Sequence, residues 1–338
     1  PERILLEKEL ILQLEEPIEI ALIIGGKEIR TRQTGEVRMP HKHSHILATY
    51  HKATEKETDA AINAALSAHK IWADLSWTVR ASILLKAAEL ISGKYRQLMN
   101  AATMLGQSKN IYQSEIDVVC ETIDFLKFNA YFATRIYEMQ PQSAFNQLNK
   151  MEFRPLEGFV FTVSPFNFTS IASNLNMAPV MMGNTTVWKP ATTSLLSNYY
   201  LMKIFQEAGL PDGVINFVPG NGAAIGKQVL QSPDLAGIHF TGSNNTFNSL
   251  WNEVAQNLPN YKSYPRLIGE TGGKNFLFVH PSASPTEVAV NAYRGAFEYQ
   301  GQKCSAVSRM YVPESLWPSV KNELLKISHD SKMGDVMD

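Results

Sequence analysis

From Gly158 onward, short apolar runs alternate with stretches of helical periodicity, and few architectures accommodate that rhythm. The runs fall at residues 159–163, 185–188, 214–218, 237–240, 267–268 and 276–279, with helical patterns at 194–207 and 225–230 among them. Strands alternating with helices at this spacing predict an α/β fold, a parallel sheet with crossover helices. Ligands of such sheets gather beyond the carboxyl ends of the strands, so the residues that follow each run carry the chemistry.

The earlier part of the chain reads differently. Up to about Arg38 it is mixed and strand-prone, with an aliphatic run at 18–24 ahead of Gly25-Gly26. Thr54-Glu55-Lys56-Glu57 has the form of a capping box and predicts a helix start. A second long helix is expected over 78–104 and a third over 112–137. A net charge of −1 leaves no basic footprint for nucleic acid or an anionic membrane, so neither is an expected partner. No run approaches the roughly 20 apolar residues of a membrane helix. Two cysteines argue against a disulfide framework and fit a reducing compartment. A cytoplasmic protein is the default, with an organelle matrix as the alternative, and the missing initiator Met suggests absent or processed residues.

Polar and glycine residues follow the strands in turn: Ser164-Pro165-Phe166-Asn167-Phe168, Lys189-Pro190, Pro219-Gly220-Asn221-Gly222, Thr241-Gly242-Ser243 and Glu270-Thr271-Gly272-Gly273-Lys274. Each admits a functional and a plain reading. Gly220 through Gly226 is near a dinucleotide fingerprint but has one residue too many, and is equally a strand-to-helix turn. Phe240-Thr241-Gly242-Ser243 suits a phosphate at a helix N-terminus, or an ordinary N-cap. Lys189 is a ligand for ribose or phosphate, or a solvated lysine. Glu270 beside a glycine turn is a general base for water, or a surface carboxylate. Asn167 is an amide donor to an oxyanion, or a turn former.

Cys304 lies in Gly301-Gln302-Lys303-Cys304-Ser305-Ala306, where small neighbours leave room for a substrate and Lys303 adds positive charge favouring a thiolate. A buried hydrophobic thiol is the plain alternative. Cys120, within Val118-Val119-Cys120 of a helical apolar stretch, is expected to be buried. His41, His43 and His45 cluster without a second ligand set, and no metal site is expected.

Taken in order, an amide, a strand-end lysine, a glycine-serine turn, a glutamate before glycines and a cysteine resemble the aldehyde dehydrogenase superfamily. Leu156-Glu157-Gly158-Phe159-Val160, Gly273-Lys274-Asn275-Phe276 and Ala296-Phe297-Glu298-Tyr299-Gln300-Gly301-Gln302-Lys303-Cys304-Ser305-Ala306 narrow it to the 1-pyrroline-5-carboxylate dehydrogenases. The resemblance implies a Rossmann-like sheet and NAD-dependent oxidation of glutamate γ-semialdehyde to glutamate in proline catabolism. Another aldehyde, a fragment that only binds nucleotide or a partner chain, and an acyl-transferring or hydrolysing cysteine without NAD stay as alternatives.

The resemblance also implies roles. Cys304 is the nucleophile, Asn167 with the Cys304 N–H the oxyanion donors, and Glu270 the base. Ser164, Pro165, Phe166, Lys189, Gly242, Ser243, Asn244, Asn245, Thr246, Thr271 and Gly272 border the cofactor, with NAD against NADP left open. Lys303, Ser305, Phe168 and Glu121 meet the substrate, Glu121 being equally a helix-surface charge. The division implied is 1–271 for an N-terminal segment with the NAD-binding domain, and 272–338 for the start of a second α/β catalytic domain. A hairpin near 140–157 would serve a homodimer or higher homo-oligomer, and the family continues well beyond Asp338.

Overall fold

The computed structural model describes residues 1–337, and packing divides the chain into two units, Pro1–Glu270 and Thr271–Asp338. The first unit opens with α1 (Glu2–Glu15), then β1 (Ile18–Ile20), β2 (Leu22–Ile24), β3 (Lys27–Ile29), β4 (Thr34–Met39) and β5 (Lys42–His51). Helices α2 (Glu55–Asp74), α3 (Trp77–Ser92), α4 (Arg96–Gln107) and α5 (Ile111–Ser114) follow, and a π-helix at Glu115–Glu121 leads into α6 (Thr122–Glu138). Alternation then begins with β6 (Phe159–Val163), α7 (Thr169–Met181), β7 (Thr186–Lys189) and α8 (Leu195–Glu207). It continues through β8 (Ile215–Phe217), α9 (Gly222–Leu230), β9 (Leu235–Gly242), α10 (Asn244–Asn257) and β10 (Arg266–Thr271).

Seven strands form one sheet in the order β10-β9-β6-β7-β8-β2-β3. The pairs β6/β9, β6/β7 and β7/β8 are parallel, while β2 and β3 make an antiparallel margin. Val163 is level with Lys189 on one side and Phe240 on the other, so residues 164–168, Pro190 and, past the end of β9, Ser243 leave the sheet at one edge. This is the Rossmann-like arrangement, with a ligand-binding edge where parallel strands end. Buried Phe159, Phe161, Val187, Ile238 and Phe240 pack on Ala61, Ile62 and Ala65 of α2 and on Ile225, Val229 and Leu230 of α9. That helix layer covers one face of the sheet. A second sheet, β1-β5-β4, stands apart from the first.

Several expectations are corrected. Residues 2–15 are helical, not strand-prone: Leu6 and Leu10, four apart, are buried where α1 meets α4. The run at 18–24 is two strands in different sheets, broken at Ala21, and Gly25-Gly26 turn β2 into β3 at φ of 55° and 76°. The long helix expected over 78–104 breaks at Gly93 into α3 and α4. No strand is assigned between Glu138 and Phe159, and Gln140 instead bonds the backbone of Met151 through its side-chain amide. Cys120 is exposed, although Val118 and Val119 beside it are buried. It falls within the π-helix, whose wider turn departs from the α-helical periodicity assumed for it.

The second unit contains β11 (Asn275–Phe278), α11 (Pro285–Phe297), β12 (Val307–Tyr311) and α12 (Trp317–Asp330). Its two strands pair in parallel as a separate sheet, so the run at 276–279 does not join the large one. Phe276, Phe278, Phe297 and Trp317 are exposed on it. Among the described residues no helix is long and apolar enough to cross a membrane.

Candidate active site

At the sheet edge of the first unit, Ser164 is buried and accepts the indole N–H of Trp188 at 3.0 Å. Its oxygen therefore holds β6 to β7 at the point where both strands end. Lys189 is mostly enclosed, and burial pushes its ammonium below the ordinary lysine value. A Cβ added to Gly222 would lie 3.6 Å from its Nζ, so the cation sits against the first turn of α9. No hydrogen bond or ion pair holds that cation among the described residues. The plain reading of Lys189 as a solvated lysine is thereby corrected.

The two glycine turns separate clearly. Asn221 caps α9, accepting the amides of Ala223 and Ala224 at 3.0 Å each. Those donors are spent, and the fingerprint-like run is a strand-to-helix turn. Gly242 is the last residue of β9, and Ser243 caps α10 by accepting the amide of Thr246 at 3.2 Å. Ser243, Asn244, Asn245 and Thr246 are nevertheless exposed, and the amides of Asn244 and Asn245 have no acceptor among the described residues. A 14-residue helix ending in open amides attracts an anion such as a pyrophosphate. The capping and the phosphate readings are therefore compatible. Phe166 is exposed, and the carbonyl of buried Pro165 accepts from Ser194.

Asn167 and Phe168 form the turn into α7, and this turn is tied down from beneath. Lys109 Nζ donates to the carbonyl of Asn167 at 2.5 Å and lies 4.2 Å from the Phe168 ring centroid. Asp117 accepts the amides of Thr169 and Ser170 at 3.2 and 3.1 Å. Ser170 Oγ lies 2.9 Å from Glu121 Oε2, so Glu121 faces the head of α7 and is only partly exposed. The structure thus brings Asn167, Phe168 and Glu121 together. Sequence reasoning missed Lys109, Asp117 and Ser170, since no spacing rule marks a buried pair made by distant segments. Glu270 is exposed and lies within β10, not beyond the strand end.

In the second unit Cys304 is exposed and unpaired to any other cysteine. Tyr299 and Gln300 precede it at φ of 50° and 52°, a conformation costing non-glycine residues on the order of 1–3 kcal/mol each. Tyr299 is 2% exposed and its carbonyl accepts the Gln302 amide at 3.0 Å, which holds the strained segment in place. Asn275 Nδ2 donates to the Cys304 carbonyl at 2.6 Å, and a Cβ on Gly273 would come within 3.0 Å of the same oxygen. The Cys304 N–H has no acceptor among the described residues, as an oxyanion donor requires. One expectation is corrected: Lys303 pairs with Glu298 at 3.4 Å, so its charge is partly neutralised and not simply spent on the thiol. Thr271, Gly272 and Ser305 flank this turn, Gly272 and Ser305 being exposed. No group of three metal-ligating side chains occurs among the described residues.

An α/β sheet with open helix amides at its ligand edge is followed along the chain by an exposed cysteine on a pinned turn. The Aldehyde dehydrogenase family model matches residues 28–338, and the chain belongs to that family. Delta-1-pyrroline-5-carboxylate dehydrogenase is the name carried by similar proteins. The probable one of Schizosaccharomyces pombe is 49% identical over 96% of this chain and 60% of its own length. That of Mus musculus is 46% identical over 99% of this chain and 60% of its own. The crystal structure of the Mycobacterium tuberculosis enzyme bound with NAD superposes with a TM-score of 0.98 at 48% identity, covering all of this chain and 63% of that one. The chain therefore spans about three-fifths of the relatives it matches.

Proposed function

We propose that the protein is an NAD-dependent dehydrogenase that oxidises L-glutamate γ-semialdehyde, the open form of 1-pyrroline-5-carboxylate, to L-glutamate in proline catabolism. The observation that carries this is the similarity of nearly the whole chain to enzymes named for that substrate, with the family's five motifs all present.

The residues fit the cofactor. The open amides of α10 receive the pyrophosphate, and the enclosed Lys189 ammonium suits ribose hydroxyls. Ser164, Pro165, Phe166, Thr271 and Gly272 complete its surroundings on this reading. Bound NAD accepts a hydride; the protein supplies the remaining chemistry. Cys304 Sγ attacks the aldehyde carbon, and the resulting oxyanion takes hydrogen bonds from the Asn167 amide and the Cys304 N–H. Collapse of this thiohemiacetal releases hydride and leaves a thioester on Cys304. Glu270 then takes a proton from water, whose oxygen attacks the thioester carbon, and the thiol and carboxylate separate. Glu121 suits the substrate's α-amino group, Phe168 its methylene chain, and Lys303 with Ser305 its polar ends. A homo-oligomer is the expected assembly. The relatives of Dictyostelium discoideum and Mus musculus are named mitochondrial, which supports an organelle matrix over the cytoplasm.

Reduction of NAD by glutamate semialdehyde, followed at steady state and in a single turnover, tests the reading. Cys304→Ala should abolish both signals, whereas Glu270→Gln should keep the first burst and lose turnover. Turnover that survives Cys304→Ala would discard the mechanism.

A further inference from the structure

Lys109 and Asp117 form an ion pair at 2.5 Å with side chains 1% and 0% exposed, and no step above employs either. Taking two charges out of water is costly, and a buried pair seldom stabilises a fold more than apolar side chains of the same volume would. Its partners explain its presence better than stability does. Lys109 holds the carbonyl of Asn167 and covers one face of Phe168. Asp117 holds the next two amides, those of Thr169 and Ser170, at the positive end of the 13-residue helix α7. Cation and anion therefore grip the turn from either side of Phe168. Asp117 and Glu121 both lie in the π-helix, and both reach Ser170 Oγ, at 2.8 and 2.9 Å.

We propose that Lys109 and Asp117 are positioning residues that aim the Asn167 carboxamide at the developing oxyanion. The inference rests on the reading of Asn167 as an oxyanion donor. Such a donor is effective only if its direction is set before charge develops. Pinning the Asn167 carbonyl fixes the peptide plane on the C-terminal side of its Cα, and the two held amides secure the residues that follow, so the backbone from which its side chain projects has little freedom. The pair touches neither substrate nor cofactor on this reading; it acts through Asn167.

A double-mutant cycle in the intact protein tests this. Lys109→Met and Asp117→Asn are each made alone and in an Asn167→Ala background, with kcat, KM and NAD dissociation constant measured. Misplacement of a reacting group by about 1 Å can cost roughly 100-fold, so each single variant should lose kcat by about that factor, with NAD affinity nearly unchanged. In the Asn167→Ala background the same changes should cost almost nothing, because the group they aim is gone. A loss that repeats in full in that background overturns the proposal in favour of a structural role. Should Lys109→Met fail to fold, Asp117→Asn keeps the side-chain volume and carries the cycle. A wild-type rate for Asn167→Ala removes the underlying reading. A slow Asn167→Ala beside unimpaired Lys109 and Asp117 variants overturns the positioning alone.

Discussion

Asn275 donates its side-chain amide to the backbone carbonyl of Cys304 at 2.6 Å, tying the start of β11 to the turn that presents the thiol. The bond leaves Sγ and the Cys304 N–H unengaged while fixing the peptide that follows. Asn275→Ala should lower kcat about tenfold through a looser nucleophile, with NAD affinity retained. Pre-steady-state acylation rates check it, and an unchanged rate would show that the turn stands without Asn275.

Lys189 carries a positive charge in an enclosed position with no counter-charge among the described residues. Lys189→Met removes a charged donor worth roughly 1.5–3 kcal/mol, so NAD should bind on the order of 10–100-fold more weakly. The free variant should be at least as stable as the parent, since burial penalises the charge. Calorimetric titration and thermal unfolding together decide the matter; equal NAD affinity would remove Lys189 from the nucleotide site.

His239 bonds the carbonyl of Leu175 through Nδ1 at 2.9 Å, and burial holds its imidazole below the usual histidine value. The neutral ring donates that bond. With a folded value below 6.5, the unfolded chain takes the proton first as pH falls, so stability declines from pH 6.5 downward through the folded value. His239→Asn keeps a donor and removes the titration. Its melting temperature should fall less steeply below pH 6.5 than that of the parent, and parallel slopes would rule His239 out as the cause.

Gly242 has no room for a side chain: a Cβ there would lie 2.7 Å from the Phe240 ring. That ring is 2% exposed and stacks on Phe247 of α10, with centroids 5.5 Å apart, so it has little freedom to yield. Gly242→Ala should cost about 1–3 kcal/mol by overpacking and disturb the N-terminus of α10 as well. Urea denaturation with NAD titration measures both effects; a neutral substitution would mean that the ring moves freely.

The sheet was largely legible because β6, β7, β8 and β9 are mostly buried and read as mainly apolar runs, interrupted by single polar residues such as Thr162, Asn216 and His239. The capping box at Thr54 formed as its spacing implied, with Glu57 bonded back to the Thr54 amide at 3.1 Å. Helix α1 escaped the expectation of a mixed, strand-prone beginning because its narrow buried stripe, Leu6 and Leu10, shows little periodic contrast. Cys120 was misplaced because an apolar neighbourhood was taken for burial, while the π-helix rotates residues by a different angle from an α-helix.

For the candidate site, Asn167 and Lys189 are legible as residues at strand ends, whereas Glu270 lies within β10 and Cys304 follows α11, so their nomination rested on the family resemblance. The motifs as they stand in the sequence also carried the resemblance to the family to which the chain belongs. Tertiary structure alone decided which polar groups are already engaged: Asn221 accepts amides of its own helix, Ser164 accepts from Trp188, and Lys303 faces Glu298. It alone revealed Lys109 and Asp117 beneath Asn167. The physical reason is the same in each case. A hydrogen bond or an ion pair depends on separations of about 3 Å between groups that can be far apart in the chain, and only packing brings them to that distance.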